Sequence, residues 1–334
     1  MTWRMPAEGD PHERTWLAWP TTGYTLGGDA ESAEAARRTW AAVANAVSEF
    51  EPLVVVVDPR DLDLAPRYLS GAIELLTAPL DDAWVRDSGP TFVLGDDGRL
   101  GAVDWVFNGW GGQEWASWEH DALLAPIIAQ NAGAELIEST LTNEGGGIHV
   151  DGRGTVLLTG TVQLDPGRNP GWSMADVEAE LARTIGATRA IWLPRGLTRD
   201  SERFGTRGHV DIVATMPEPG RVLVHAQRHA AHPDHVVSAE VVRILGGEGL
   251  EVALLPAPRT LRDGEGWVDW SYVNHALVNG GVIAGTFDDP ADEEALDVLR
   301  AAYPGREVVG VDARELFARG GGVHCITQHQ PRPR

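Results

Sequence analysis

Residues 30–57 read AESAEAARRTWAAVANAVSEFEPLVVVV, an alanine-rich stretch followed by a β-branched run, and that pairing decides the fold class. Asp29 stands where an N-cap belongs, and Trp40, Val43 and Val47 recur on one helical face, so the pattern predicts a helix over residues 30–49. LVVVV at 53–57 is apolar at every position, the signature of a strand covered on both faces. Working outward, helical windows recur near residues 117–131, 173–186, 235–246 and 291–303. Short apolar strands follow most of them: ELIES (135–139), AIWLP (190–194), LEVALL (250–255) and EVVGV (307–311). The chain alternates α and β.

Glycine-punctuated segments overlay this alternation at 86–93, 144–150, 206–214, 279–285 and 320–326. Turn signals at DDG (96–98), DGRG (151–154) and EPG (218–220) mark hairpins. Five helices and five glycine-led strands suggest five αβ modules in a ring, with the glycine-led starts gathered at its centre. An α/β sandwich explains the alternation equally well. No linker divides residues 1–334, which read as a single domain; the tail at 331–334, from QPRPR, is expected to fray.

Composition excludes several classes. All 27 basic residues are arginine, against 49 acidic residues, for a net charge of −22. Without lysine there is no P-loop, Schiff base or lysine general base. With one cysteine, Cys325, there is no internal disulfide, Cys₄ zinc site or C-x-x-C pair. The negative charge argues against nucleic acid or an anionic membrane as partner and is compatible with a cationic substrate. No apolar run approaches the ~18 residues of a membrane span, and MTWRMPAEGDPHERTW lacks a secretory pattern. A cytoplasmic protein is expected.

Cys325 is the first candidate for chemistry. A free cysteine is commonly a small buried hydrophobe, but GGGVHCITQHQ surrounds this one with glycines and polar groups that let backbone N–H groups polarise a thiolate. His209 and Asp211, in GHVDI, are two apart and would share a face of a strand. They suit a general base with a charged neighbour, or half a metal site. Asp151, in a second HVD, is a turn residue, and metal hydrolases of guanidines carry denser His/Asp clusters, so no metal is assigned. Asp87, in DDAWVRDSGP, sits in a binding loop or forms a structural pair with Arg86. Glu144, before GGG, caps backbone amides or stands behind the histidine. The 13 tryptophans are mostly core, yet those beside glycine or aspartate, Trp84 among them, can wall a pocket for a planar cation. A thiol, a histidine and several carboxylates at glycine-punctuated strand ends suit a guanidinium, whose planar fork takes paired hydrogen bonds.

MPAEGDPHERTWLAWP (5–20), DDAWVRDSGPTFV (81–93), FNGWGG (107–112), EGGGIHVDGRGTVLLT (144–159), GHVD (208–211), SYVNHALVNGGVI (271–283) and GGGVHCITQHQP (320–331) together resemble the agmatine deiminase and bacterial peptidylarginine deiminase family. The resemblance covers nearly the whole chain. It implies the pentein fold, a five-bladed α/β propeller, and hydrolysis of a guanidine to a urea and ammonia without metal or organic cofactor. It implies that Cys325 attacks the guanidinium carbon and that His209 protonates the departing ammonia, then activates water against a thiouronium intermediate. Asp87 and Asp211 would grip the guanidinium nitrogens, Glu144 would support His209, and Trp84 would line the pocket. It further implies a small cationic guanidino substrate, with agmatine the default, a place in polyamine biosynthesis, and compatibility with a homo-oligomer.

Several positions depart from the family. Gly9 replaces a usual tryptophan, and the loop after WP reads TTGYTLGG. Gly205 stands where an acid for the substrate's distal amine is common, Arg207 where a small polar residue is common, and Ile212 where asparagine follows the aspartate. Gly205 and Arg207 thus mark a tail site that fits a neutral or anionic guanidino compound better than agmatine, unless Arg207 points outward and another acid serves. Amidino transfer to an amine is the neighbouring chemistry. A catalytically idle cation-binding protein is the alternative of a different class.

Overall fold

The computed structural model describes residues 2–333. Five sheets form, and each contains an antiparallel strand pair, a crossover helix and a third strand parallel to the second of the pair. In the first complete module the hairpin is Thr91–Gly95 with Leu100–Val106, followed by helix Leu124–Ala132 and strand Glu135–Thr142. The second runs Ile148–Val150, Thr155–Thr159, helix Met174–Ile185 and Arg189–Leu193. The third runs Ala214–Glu218, Arg221–Ala226, helix Asp234–Gly247 and Glu251–Pro256. The fourth runs Ala276–Val278, Gly281–Thr286, helix Asp292–Ala302 and Glu307–Asp312.

The fifth module is assembled from both ends of the chain. Strand Thr327–Pro331 pairs antiparallel with His12–Ala18, whose chain continues through helix Ala30–Ser48 to the parallel strand Leu53–Val57. The five αβ modules, closed through both ends of the chain, form the pentein architecture that the family resemblance implies, not the sandwich that periodicity also allowed. Its helices form for local reasons. Asp29 Oδ1 accepts the Ser32 N–H at 2.8 Å, and Ala36, Trp40, Val43, Ala44 and Val47 bury one face. All five residues of Leu53–Val57 are at most 2% exposed, each side chain contributing about 1.5–3 kcal/mol of burial. Glycines at positive φ turn the three expected hairpins, at Gly98, Gly152 and Gly220. Among the described residues no helix is long and apolar enough to cross a membrane.

Four local expectations are corrected. The helix near 117–131 begins only at Leu124, after a 3₁₀ turn at Asp121–Leu123, with Pro126 in its first turn, where a missing N–H costs nothing. His209 and Asp211 lie at a 3₁₀ turn, Val210–Ile212, not in a strand. The glycines at 280–281 join two strands of the fourth module instead of opening it, and GGGVHCI is a turn-rich lead into Thr327–Pro331. The expected tail at 331–334 starts inside that strand: Pro331 ends it, and the Arg332 N–H donates to Pro11 O at 2.9 Å. Residue 334 lies outside the described residues.

Candidate active site

Every module delivers a polar side chain from the connection just before its first strand. Asp87 precedes Thr91–Gly95, Glu144 precedes Ile148–Val150, and His209 and Asp211 precede Ala214–Glu218; Asn274 precedes Ala276–Val278, and Cys325 precedes Thr327–Pro331. All six are buried, at no more than 5% exposure, so their charges act on one another through little water.

Their contacts form one network. Asp87 Oδ1 accepts the Gly146 N–H at 3.0 Å, and its Oδ2 accepts the Trp110 indole N–H at 2.9 Å. Trp110 reaches there from the FNGWGG segment with a left-handed φ of 55°, a conformation uncommon for a bulky side chain. Glu144 Oε2 lies 3.1 Å from His209 Nε2. Behind it, Arg168 Nε donates to both Glu144 oxygens at 2.9 and 3.0 Å, and Asp165 takes another arm of the same guanidinium at 2.9 Å. Asn274 Nδ2 donates to Cys325 Sγ at 3.2 Å, and Asp211 Oδ2 lies 3.5 Å from the same sulfur.

Two buried polar atoms have no protein partner here, His209 Nδ1 and Asp211 Oδ1. A Cβ placed on Gly146 would come within 2.5 Å of that Nδ1, 2.9 Å of Asp211 Oδ2 and 3.0 Å of Asp87 Oδ1. The three side chains therefore converge directly on the Gly146 backbone, where any side chain would collide with them. Trp84 forms the wall over the thiol: a Cβ on Gly321 would stand 2.6 Å from its ring and 3.1 Å from Cys325 Sγ. Trp40 packs edge-on against Trp84, with ring centroids 5.4 Å apart.

The electrostatics follow from this crowding. Burial works against a charged His209, yet Asp87, Glu144 and Asp211 raise its pKa to about 9, so the ring is an imidazolium at neutral pH. Burial also opposes a charged Glu144, but Arg168 and His209 bring it down to about 2. Burial, with Glu144 and Asp211 nearby, pushes Asp87 up. Burial and the Asp211 and Asp87 carboxylates push the Cys325 thiol well above its ordinary value. The sulfur is therefore a thiol until a cation arrives. Among the described residues no group of three or more His, Cys, Asp or Glu side chains is arranged to hold a metal ion.

Of the two candidate tail positions, Arg207 is ion-paired and Gly205 is walled in. Arg207 Nη1 donates to both oxygens of Asp165, at 3.0 and 2.8 Å, so its charge is already matched. At Gly205 a Cβ would stand 2.0 Å from Asp200 O, so no acid fits there. Gly205 lines a small cavity of about 20 Å³ together with Tyr24, Arg199, Arg203, Phe204, Glu265, Asp269 and Gly320, and Arg199 Nη2 pairs with Glu265 there at 3.0 Å. Asp269 is buried with Oδ1 unpartnered, and burial, with Asp200 nearby, raises its pKa to about 7. Gly9 lines a different cavity, beside Arg4, Tyr303 and Arg306, that includes none of the candidate site residues.

Sequence reasoning missed Asn274, Trp110 and Arg168. SYVNHALVNGG and FNGWGG flagged the first two without giving either a role, and a count of one polar residue per module points to Asn274. Arg168 carries no local signal, because its partners are 3 and 24 residues away in sequence.

Comparison with known proteins places this geometry. The family model for Porphyromonas-type peptidyl-arginine deiminase matches residues 4–331. A Streptomyces coelicolor protein, named provisionally as an agmatine deiminase, is 55% identical over 99% of this chain and 100% of its own length. The agmatine deiminase of Pseudomonas aeruginosa is 38% identical over 99% of this chain and 96% of its own. The solved agmatine deiminase of Enterococcus faecalis superposes with a TM-score of 0.90 at 32% identity, covering 99% of this chain and 96% of that one.

Proposed function

Because the chain belongs to the Porphyromonas-type peptidyl-arginine deiminase family and is a hydrolase of guanidino C–N bonds, we propose that it deiminates a guanidinoalkylamine through a covalent Cys325 intermediate, with agmatine the substrate and N-carbamoylputrescine and ammonia the products. The observation that carries this reading is the convergence of Asp87, Asp211 and His209 on Gly146, with Asp211 Oδ2 3.5 Å from Cys325 Sγ. A planar guanidinium placed there donates paired hydrogen bonds to the two carboxylates. Its positive charge beside Cys325 offsets the two carboxylates that hold the thiol protonated, so binding of substrate releases the thiol proton to solvent and leaves the thiolate.

The thiolate attacks the guanidinium carbon and gives a tetrahedral adduct. His209, an imidazolium held by Glu144, gives its proton to one nitrogen as that C–N bond breaks and ammonia leaves. The trigonal thiouronium that remains is attacked by water, whose proton returns to His209. The C–S bond then breaks, leaving a ureido product and the thiol. All five modules contribute to this site, which treats residues 1–334 as one catalytic domain.

The tail reading rests on charge. Arg207 is neutralised by Asp165, which removes the reason to favour an anionic tail. The cavity beside Gly205 carries Asp269, whose Oδ1 has no hydrogen-bond partner, near Tyr24 and Phe204, while its Glu265 is paired with Arg199 and Arg203 lies over Phe204; Asp269 is the acid there for an alkylammonium. Turnover of agmatine, free arginine and 4-guanidinobutanoate, read as ammonia and ureido product, tests the assignment. Preference for agmatine by about tenfold or more is expected, one charge pair being about 1.4 kcal/mol. Preference for the guanidino acid would reverse the tail reading, and amidino transfer to an added amine would replace hydrolysis.

A further inference from the structure

The residue before the nucleophile, His324, is buried at 3% exposure, and neither the sequence motifs nor the proposed chemistry uses it. Its Nδ1 lies 2.8 Å from Asp211 Oδ2, and its Nε2 lies 2.8 Å from Glu8 Oε1. A neutral imidazole has one N–H and one lone pair, and a lone pair facing a carboxylate oxygen at that distance is repulsive. We infer that His324 is a permanent imidazolium, donating from both nitrogens, and is the positioning residue that fixes Asp211 for the guanidinium.

The surroundings of the two contacts agree with this assignment. Glu8 is anchored from several sides: its Oε1 accepts Arg86 Nη1 at 3.4 Å, and its backbone oxygen lies 2.8 Å from His12 Nε2. The charge at His324 holds both Glu8 and Asp211 below the usual carboxylate range despite burial. Three other buried histidines feel the same charge, His149, His275 and His329, and burial pushes each of them down, leaving them neutral. Burial and the Arg86 guanidinium oppose the charge on His324; Glu8 and Asp211 outweigh them.

The consequence for chemistry lies in how Asp211 divides its oxygens. Oδ2 is occupied by His324, while Oδ1 has no protein partner. Held on one side, the carboxylate cannot rotate to spend both oxygens on the protein, and it stays ionised beside the sulfur. His324 also takes its place from the nucleophile's own support, since its backbone N–H donates to Asn274 Oδ1 at 2.9 Å while Asn274 Nδ2 holds Sγ. Asn274 therefore ties the imidazolium and the thiol together.

This inference rests on the proposed guanidine chemistry for its effect on binding, but not for the charge itself, so two measurements separate them. In the full chain carrying Cys325→Ala to stop turnover, ¹⁵N-histidine NMR reads the protonation of His324, its signal identified by its loss in His324→Gln. Two protonated ring nitrogens from about pH 6 to about pH 8 are expected, where a solvent-exposed histidine titrates. One protonated nitrogen across that range overturns the proposal, whatever the enzyme binds. Calorimetry then compares agmatine binding to Cys325→Ala with and without His324→Gln. A loss of about tenfold or more is expected from removing a charge-assisted support. Equal affinity overturns the positioning role. Failure of agmatine to bind Cys325→Ala at all counts against the substrate reading and leaves the NMR decisive. If His324→Gln fails to fold, Glu8→Gln with His324→Gln removes one charge of each sign and carries the same comparison.

Discussion

His209 keeps its proton against burial because three carboxylates surround it, and that has consequences for pH. With a folded pKa of about 9, kcat/KM should fall as pH rises through about 9, as the acid for the departing ammonia is lost. Glu144→Gln removes one of the charges that raise His209, so this alkaline limb should move to lower pH, with activity falling about 10–100-fold; a pH profile in which the limb stays put would contradict the pairing. The same shift is a stability statement. The folded pKa lies above the ordinary 6.5, so the contribution is fully present below about 6.5 and lost as pH rises through about 9. The thermal midpoint of the parent should therefore fall between those pH values more steeply than that of His209→Asn.

At the scale of elements, the connections before the first strands hold the chemistry, and their glycines are selected by space. Gly146 has an ordinary φ, so alanine suits its backbone, but the methyl would collide with His209, Asp211 and Asp87. Gly146→Ala should leave the circular dichroism spectrum unchanged and reduce kcat/KM by about 100-fold or more, comparable with other misplacements in a reacting geometry. Gly205 is different: its methyl would strike the Asp200 backbone at 2.0 Å. Asp200 also accepts the N–H groups of Thr206, Gly208 and His209, so Gly205→Ala should disturb the whole loop that presents His209. A drop in thermal midpoint together with activity is expected, in contrast to Gly146→Ala. Helix and strand positions are legible in the amino-acid order: the helix read at 30–49 is Ala30–Ser48, and LVVVV is a fully buried strand. The 3₁₀ turn at His209 is not legible there, because GHVDI alternates like a strand and only the Asp200 carboxylate, nine residues back from His209, folds it otherwise.

For the whole molecule, the seam between the chain's two ends closes the ring. Trp16 is fully buried, and its indole N–H donates to Gln330 Oε1 at 3.0 Å across that seam. Gln330→Ala leaves this donor unpaired and should cost about 1–3 kcal/mol, read as a lowered denaturant midpoint in urea with an unchanged slope; no change would mean the indole finds another acceptor. Amino-acid order alone determined the alternating elements, the hairpin turns, the only possible thiol nucleophile and, through motif resemblance, the residues Asp87, Glu144, His209, Asp211 and Cys325 as candidates. These follow from local periodicity, backbone conformation and composition, which need no partner distant in the chain. Tertiary structure alone decided that Arg207 is paired with Asp165, that Asn274 touches the sulfur, and that His324 stands between two carboxylates while three neighbouring histidines stay neutral. Those are matters of charge and proton location, and they depend on groups up to 316 residues apart in sequence that become neighbours only when the five modules close around one buried, low-dielectric centre.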